Sequence, residues 1–484
     1  MTNTSTSEPT PNLRPLGWLM LVLVSAELLF LYSGIKIAGY LSHVLVIGMF
    51  VIAWRSLHLR EAYLLSIIFI LVAIAFYLQK PILEITTEAL TRSAFLASFI
   101  LLMALLREGA QTSPAVLEVG KFLTEQPSKT RYAALFGGGH FFAVLINLGS
   151  MSLLAPIIQR GVRATLPDGA PMDDIARVRE RRQISAILRG FAWFLVWAPT
   201  AVTQAVMPTL MSGIDAAKLM LTGFALASLM FVVGWIEDHF RWSNFRKKLR
   251  SEGRMPQATG APFPKIAMRN LGLVCLALSG LSIAFMQLAQ VPIVSGVMLT
   301  VPVVVIVWIW LQQPKHDDGA RQKAVTTRLQ SISFEAMPGY FREVAFVACA
   351  GFIGTMAAQL IPADKVSALL NLETIPGWLI LWGLSTSIWL AGQIGLSPIT
   401  MAVFLGSLVA GMPEMPVDIT WVALAIAAGA AISSHGAPFA GGVLLLSRAT
   451  GYSPMTLSWR WNGVYTLSVL AVIAVFYWLL LQLG

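Results

Sequence analysis

The chain has 484 residues, of which 56% are hydrophobic and 12% charged, and its 34 Lys and Arg outnumber 24 Asp and Glu for a formal net charge of +10. So apolar a composition excludes a soluble globular domain and indicates a polytopic membrane protein of all-α class. The positive charge is divided among short connectors and builds no single face, which excludes nucleic acid as a partner and leaves the lipid bilayer.

Residues 1–14 are polar and lack the basic start and small-residue cleavage site of a signal peptide, so they read as a cytoplasmic tail. An extra N-terminal helix follows at 15–36. Apolar stretches then recur at 37–54, 61–79, 89–106, 132–158, 184–211, 216–236, 267–288, 291–312, 342–361, 376–411, 419–447 and 462–483. Cys275 and Cys349 fall inside such stretches and read as small core residues. Arg107 and Glu108 read as a pair at a helix end, and Arg189 as a side chain that snorkels to the cytoplasmic surface.

Basic connectors decide which stretches cross. The loops 107–131 and 159–182 are both rich in Lys and Arg, and cytoplasmic loops hold that excess. They flank 132–158, so this stretch is expected to enter from the cytoplasm and return there as a re-entrant hairpin. Stretch 376–411 is too long for one span of roughly 20 residues and too short for two. With GQIGLSP at its middle, it reads as a second hairpin, entering from outside. The result is about 11 transmembrane helices plus two hairpins, N-terminus cytoplasmic and C-terminus outside, with only Lys36, Lys80, Arg92, Lys218 and Lys365 among the basic residues outside.

The order span, span, span, hairpin, span, span then occurs twice. The first repeat is 37–236, with hairpin 132–158 and a broken helix at 184–211. A cytoplasmic linker, 237–266, leads to the second repeat, 267–484, with hairpin 376–411 and a broken helix at 419–447. The hairpins open oppositely, so the repeats are inverted in topology, the pattern of secondary transporters.

Non-helical backbone at bilayer depth is tolerated where it lines a cavity or is buried in protein. Four such places are expected. The first tip carries Asn147, Gly149 and Ser150, and the break after it Pro199, Thr200 and Thr203. The second tip carries Gly395, Ser397, Pro398 and Thr400, and its break Ser433, Ser434 and His435. Half-helix N-termini at these points suit an anion, and exposed carbonyls a small cation such as sodium near the Asn147 and Gly395 backbone. His435 is the ionisable candidate for a proton or substrate contact. His140, after three glycines, reads as packing. Acidic side chains read as lying at helix ends and in connectors, which leaves His435 or backbone-bound sodium for coupling. No phosphate loop, metalloprotease helix or nucleophile elbow is found, so no enzyme and no cofactor is expected.

This pattern is similar to that of the ion transporter superfamily, which includes the divalent anion:sodium symporters. In that family the tips carry Ser-Asn-Thr. Here Asn147 within Ile146-Asn147-Leu148 matches, while the second tip reads Ile394-Gly395-Leu396-Ser397. The resemblance implies a symporter for a small organic anion, homodimeric, resident in a plasma (inner) membrane, that shifts its hairpin domain elevator-fashion against a scaffold under a sodium or proton gradient. A membrane enzyme of lipid-linked glycan metabolism and an ion channel are the competing classes.

Overall fold

A computed structural model describes residues 14–167, 170–254, 262–313, 318–412 and 415–483, so the expected tail lies outside them except for Arg14. Among the described residues all regular structure is helical. The first part of the chain forms α1 (Arg14–Ser33), α2 (Lys36–Ile52), α3 (Leu59–Tyr77), α4 (Ile82–Gln111), α5 (Pro114–Thr124), α6 (Arg131–Ile146), α7 (Gly149–Arg163), α8 (Asp174–Trp193), α9 (Val202–Leu210) and α10 (Ala216–Arg241). Then come α11 (Ser243–Ser251), α12 (Lys265–Ala289), α13 (Ile293–Gln312), α14 (Asp318–Ser331), α15 (Phe341–Leu360), α16 (Ala363–Leu370), α17 (Gly377–Gln393), α18 (Pro398–Ala410), α19 (Ile419–Gly436), α20 (Gly441–Thr450) and α21 (Gly463–Leu483).

The protein is thus a polytopic all-α membrane protein. Among the described residues, eight helical stretches are long and apolar enough to cross a bilayer unaided. The expected eleven spans include three more that fall short on composition or length. These are α2 with 17 residues, α3, counted from Glu61 to Tyr77 with 17 residues, and the pair α8–α9, whose first half is arginine-rich.

Two antiparallel pairs, α6–α7 and α17–α18, have arms of 16, 15, 17 and 13 residues. At 1.5 Å per residue they reach about 20–26 Å, short of a hydrocarbon core about 30 Å thick. Hydrogen bonds fix where they open. Just before α6, Ser128 Oγ accepts from Arg182 at 3.2 Å, and near the end of α7 the Gln159 amide donates to Glu180 Oε1 at 2.8 Å. Both ends of the first hairpin are therefore tied within one turn of α8. Arg182 in turn pairs with Asp238 at the C-terminal end of α10, 2.7 Å away.

The second hairpin opens at the other end of α10. Gly377, first residue of α17, abuts Val417, and the neighbouring Thr420 Oγ1 accepts from the backbone N–H of Asp215, the N-cap of α10, at 3.1 Å. The 26 residues of α10 separate the two openings by about 39 Å.

Packing is similar around the two hairpins. The first arm of each hairpin lies on the half-helix that follows it, α6 on α8 and α17 on α19, while the second arms touch half-helices of both halves, α7 on α8 and α20 and α18 on α19 and α9, and α18 packs on α15 as well. Helices α4 and α15 pair between the halves. A bidentate ion pair from Arg107 to Glu343, at 2.9 and 3.1 Å, fastens them. The expected Arg107–Glu108 pairing does not occur, because neighbours in a helix do not face each other. Glu108 instead meets Arg328 at 3.3 Å and the Tyr340 hydroxyl at 2.7 Å.

Candidate transport site

The first tip is a sharp reversal centred on Asn147, whose φ of 47° and ψ of −129° lie in a region that favours glycine. Asparagine is among the side chains that best tolerate positive φ. Ser150 donates to the Asn147 carbonyl at 2.8 Å and so braces the turn. Gly149 begins α7 with the Arg107 side chain laid against it, leaving no room for a Cβ. The Asn147 carboxamide itself makes no hydrogen bond among the described residues.

Behind this tip α8 breaks off, and Pro199 sits in the turn that joins it to α9. The carbonyls freed by the break are recovered from α9: Thr203 donates to Leu195 O at 2.6 Å, and Gln204 to Val196 O at 2.8 Å. Thr200 reaches the other way and donates to Val144 O of α6 at 2.9 Å, which bonds the break to the tip. Both hydroxyls are committed to the backbone.

The second tip turns on Gly395, with φ of 91°. Ser397 caps α18 by accepting from the N–H groups of Ile399 and Thr400, and Pro398 takes the first helical position, where its missing N–H costs nothing. The Thr400 hydroxyl makes no hydrogen bond among the described residues. At the break between α19 and α20 the Gly436 carbonyl accepts from Trp389 at 3.2 Å and from Gln393 at 3.0 Å, both on α17. This bonds the second break to the second hairpin, as Thr200 does for the first.

Three neighbours at that break behave differently. Ser434 bonds back to Ala430 O at 2.8 Å. The Ser433 hydroxyl is buried without a partner and pressed against Gly392, where any Cβ would collide with it. His435 is fully buried, with Nδ1 3.4 Å from Thr466 Oγ1 and Nε2 unpartnered, its ring near those of Trp193 and Tyr465. The histidine of one break thus packs on the last residue of α8 before the other. Among the described residues no hydrogen bond joins the first tip and break to the second pair.

Several polar residues carry more structure than the pattern of apolar stretches discloses. Arg189 does not snorkel. It is 2% exposed and donates to Asn462 Oδ1 at 2.8 Å and Glu237 at 2.9 Å, with its guanidinium 4.1 Å from the centre of the Tyr465 ring. Partners on α10 and just before α21 retain the charge inside. Glu27 also departs from expectation: it lies midway along α1, 2% exposed, with Oε1 unpartnered. An acid at that depth was legible as a single letter within SAELLF. His140 stacks on Trp197 and Phe136, donates from Nδ1 to Gly190 O at 3.1 Å, and accepts at Nε2 from Trp197 at 2.7 Å. One donor and one acceptor are what a neutral imidazole offers.

The geometry thus gives four irregular points in two internally bonded pairs, the first tip and its break buried in the bundle and the second tip exposed at Ile394, Gly395 and Leu396, with an amide and a hydroxyl that make no hydrogen bond among the described residues. No family model matches the chain, and no curated protein matches it. Among solved structures it is similar to the YdaH transporter of Alcanivorax borkumensis, with 16% sequence identity, a TM-score of 0.50, and coverage of 80% of this chain and 85% of that one. At that identity the likeness is one of fold: the two chains share a polytopic helical architecture.

Proposed function

We propose that the protein is a secondary active transporter of a small organic anion, carboxylate in type, coupled to a sodium or proton gradient. The observation that carries the reading is the Asn147 carboxamide, held at the reversal of a hairpin too short to cross and without a hydrogen bond among the described residues. An amide in such a place is costly unless a ligand or water meets it. Asn147 and Thr400 would contact the anion by side chain. The N-termini of α7, α9 and α20 would supply backbone N–H groups, and that of α18, whose first N–H groups are taken by Ser397, partial positive charge alone. Ser150, Thr200, Thr203, Ser397 and Ser434 would hold the tips and breaks in shape, and Ser433 and His435 would stand behind the second break. Sodium would take carbonyls near Asn147 and Gly395.

The chain's likeness to the ion transporter superfamily supports the rest of the proposal. The α4–α15 pair would belong to a scaffold, and the hairpins with their broken helices would move against it as a unit in an elevator-like step. The protein would work as a homodimer in a plasma (inner) membrane, N-terminus in the cytoplasm. Discontinuous spans in inverted halves favour alternating access over a channel.

A thermal-shift screen of mono- and dicarboxylates, with and without sodium, is expected to find an acid that stabilises the purified protein, since a ligand stabilises the state it binds. That acid should then show saturable counterflow in proteoliposomes. Flux that rises linearly without saturation would indicate a channel. A full panel without a stabilising acid or counterflow would contradict the assignment.

A further inference from the structure

A second polar site lies apart from the hairpin tips, in a small cavity where α8, α10 and the segment leading into α21 meet. Four arginines, Arg181, Arg182, Arg189 and Arg241, line it with only two carboxylates, Glu237 and Asp238. The carboxylates are already engaged: Asp238 by Arg182 at 2.7 Å, and Glu237 by Arg189 at 2.9 Å and Arg241 at 2.7 Å. Arg181 has no carboxylate partner. It donates to the Arg460 carbonyl at 2.9 Å and lies over the rings of Trp242, at 5.3 Å, and Trp461, at 5.9 Å. The Ser185 hydroxyl, which also lines the cavity, is 6% exposed and without a hydrogen-bond partner. Two positive charges thus go unmatched beside an unused buried donor.

The same two helices present apolar surface close by. Within two turns of Arg241, the α10 side chains Trp235, Ile236 and Phe240 are exposed, and just beyond Trp461 so are Val464 and Leu467 of α21. Indole rings beside arginines at a helix end mark the level where hydrocarbon gives way to headgroups, and basic pockets between spans at that level recognise anionic headgroups. The cavity, about 10 Å³, has room for about one water beside Ser185, and we infer that the phosphate of an anionic phospholipid sits at its mouth, with Arg181 as its donor and the acyl chains lying on the exposed faces of α10 and α21. The inference is independent of what the tips carry.

The test uses delipidated full-length protein in neutral detergent. Phosphatidylglycerol is expected to raise the melting temperature by about 2–4 °C, phosphatidylcholine to leave it unchanged, and inorganic phosphate at the same concentration to leave it unchanged. Arg181→Gln should lose most of the phosphatidylglycerol increment, and Arg181→Lys should keep most of it. Native mass spectrometry of the unmodified protein, which depends on no variant, should retain phosphatidylglycerol over phosphatidylcholine. Equal effects of the two lipids, or a full increment in Arg181→Gln, would overturn the inference. An equal shift with inorganic phosphate would overturn the lipid as occupant.

Discussion

On the proposed function, Asn147→Gly is expected to reduce uptake of the acid found by the thermal-shift screen about thirtyfold, while membrane expression and melting temperature hold or improve. Glycine adopts positive φ without strain, so the substitution keeps the reversal that the tip needs and relieves whatever the φ of 47° costs asparagine. What it removes is the carboxamide. A hydrogen bond to a charged group is worth about 2 kcal/mol, which corresponds to about thirtyfold in affinity. Asn147→Ala removes the same group and adds backbone strain, so it should lose transport to a similar degree and stability as well. The comparison separates ligand binding from turn formation. Uptake by Asn147→Gly at the unmodified rate would remove this residue from the binding site.

Gly190→Val is expected to have the largest effect on stability, about 3 kcal/mol or more, because added atoms there meet backbone. Helices α6 and α8 approach through a pair of facing glycines. A Cβ on Gly190 would overlap the Phe136 carbonyl and stand 3.1 Å from His140 N, and one on Gly139 would stand 2.9 Å from Ile187 O. Forcing the helices apart also pulls on the bonds from Trp197 to His140 and from Thr200 to Val144, which join the first hairpin to its broken helix. Gly137, two residues from Gly139, has open space where its Cβ would be. Gly137→Ala should therefore melt close to the unmodified protein, and thermal unfolding in detergent compares the two. A Gly190→Val protein as stable as Gly137→Ala would mean that α6 and α8 are not in backbone contact.

The irregular points were legible because lipid makes polar backbone expensive. Asn, Gly, Ser and Pro in the middle of an apolar run stand out only where the run must be dry, and the charges of the flanking loops then choose between a crossing and a reversal. Helix ends were less legible, since composition stops at the first polar residues while the helix continues. The expected 89–106 is the inner part of α4, which extends to Ile82 and Gln111 through Glu84, Glu88 and Arg107. Least legible were the partners of buried charges. Arg107 finds Glu343 across 236 positions, and Arg189 finds Asn462 across 273. Periodicity carries no trace of such pairings, which exist only once distant parts of the chain have packed. The roles of Thr203 and Ser434 had the same ambiguity, because a hydroxyl at a break serves a freed carbonyl or a ligand equally well until the neighbouring turn is placed.

The central structural claim is that two pairs of helices turn back inside the bilayer and open at opposite faces. Single cysteines at Lys129, Arg160, Glu373 and Gly411, introduced after removal of Cys275 and Cys349, can be labelled with a membrane-impermeant reagent in intact cells and in inverted vesicles. The expected result is that positions 129 and 160 react together from one face, and positions 373 and 411 together from the other. Labelling of 129 and 160 from opposite faces would make α6 and α7 a full crossing and would contradict both the hairpin and the site built on its tip.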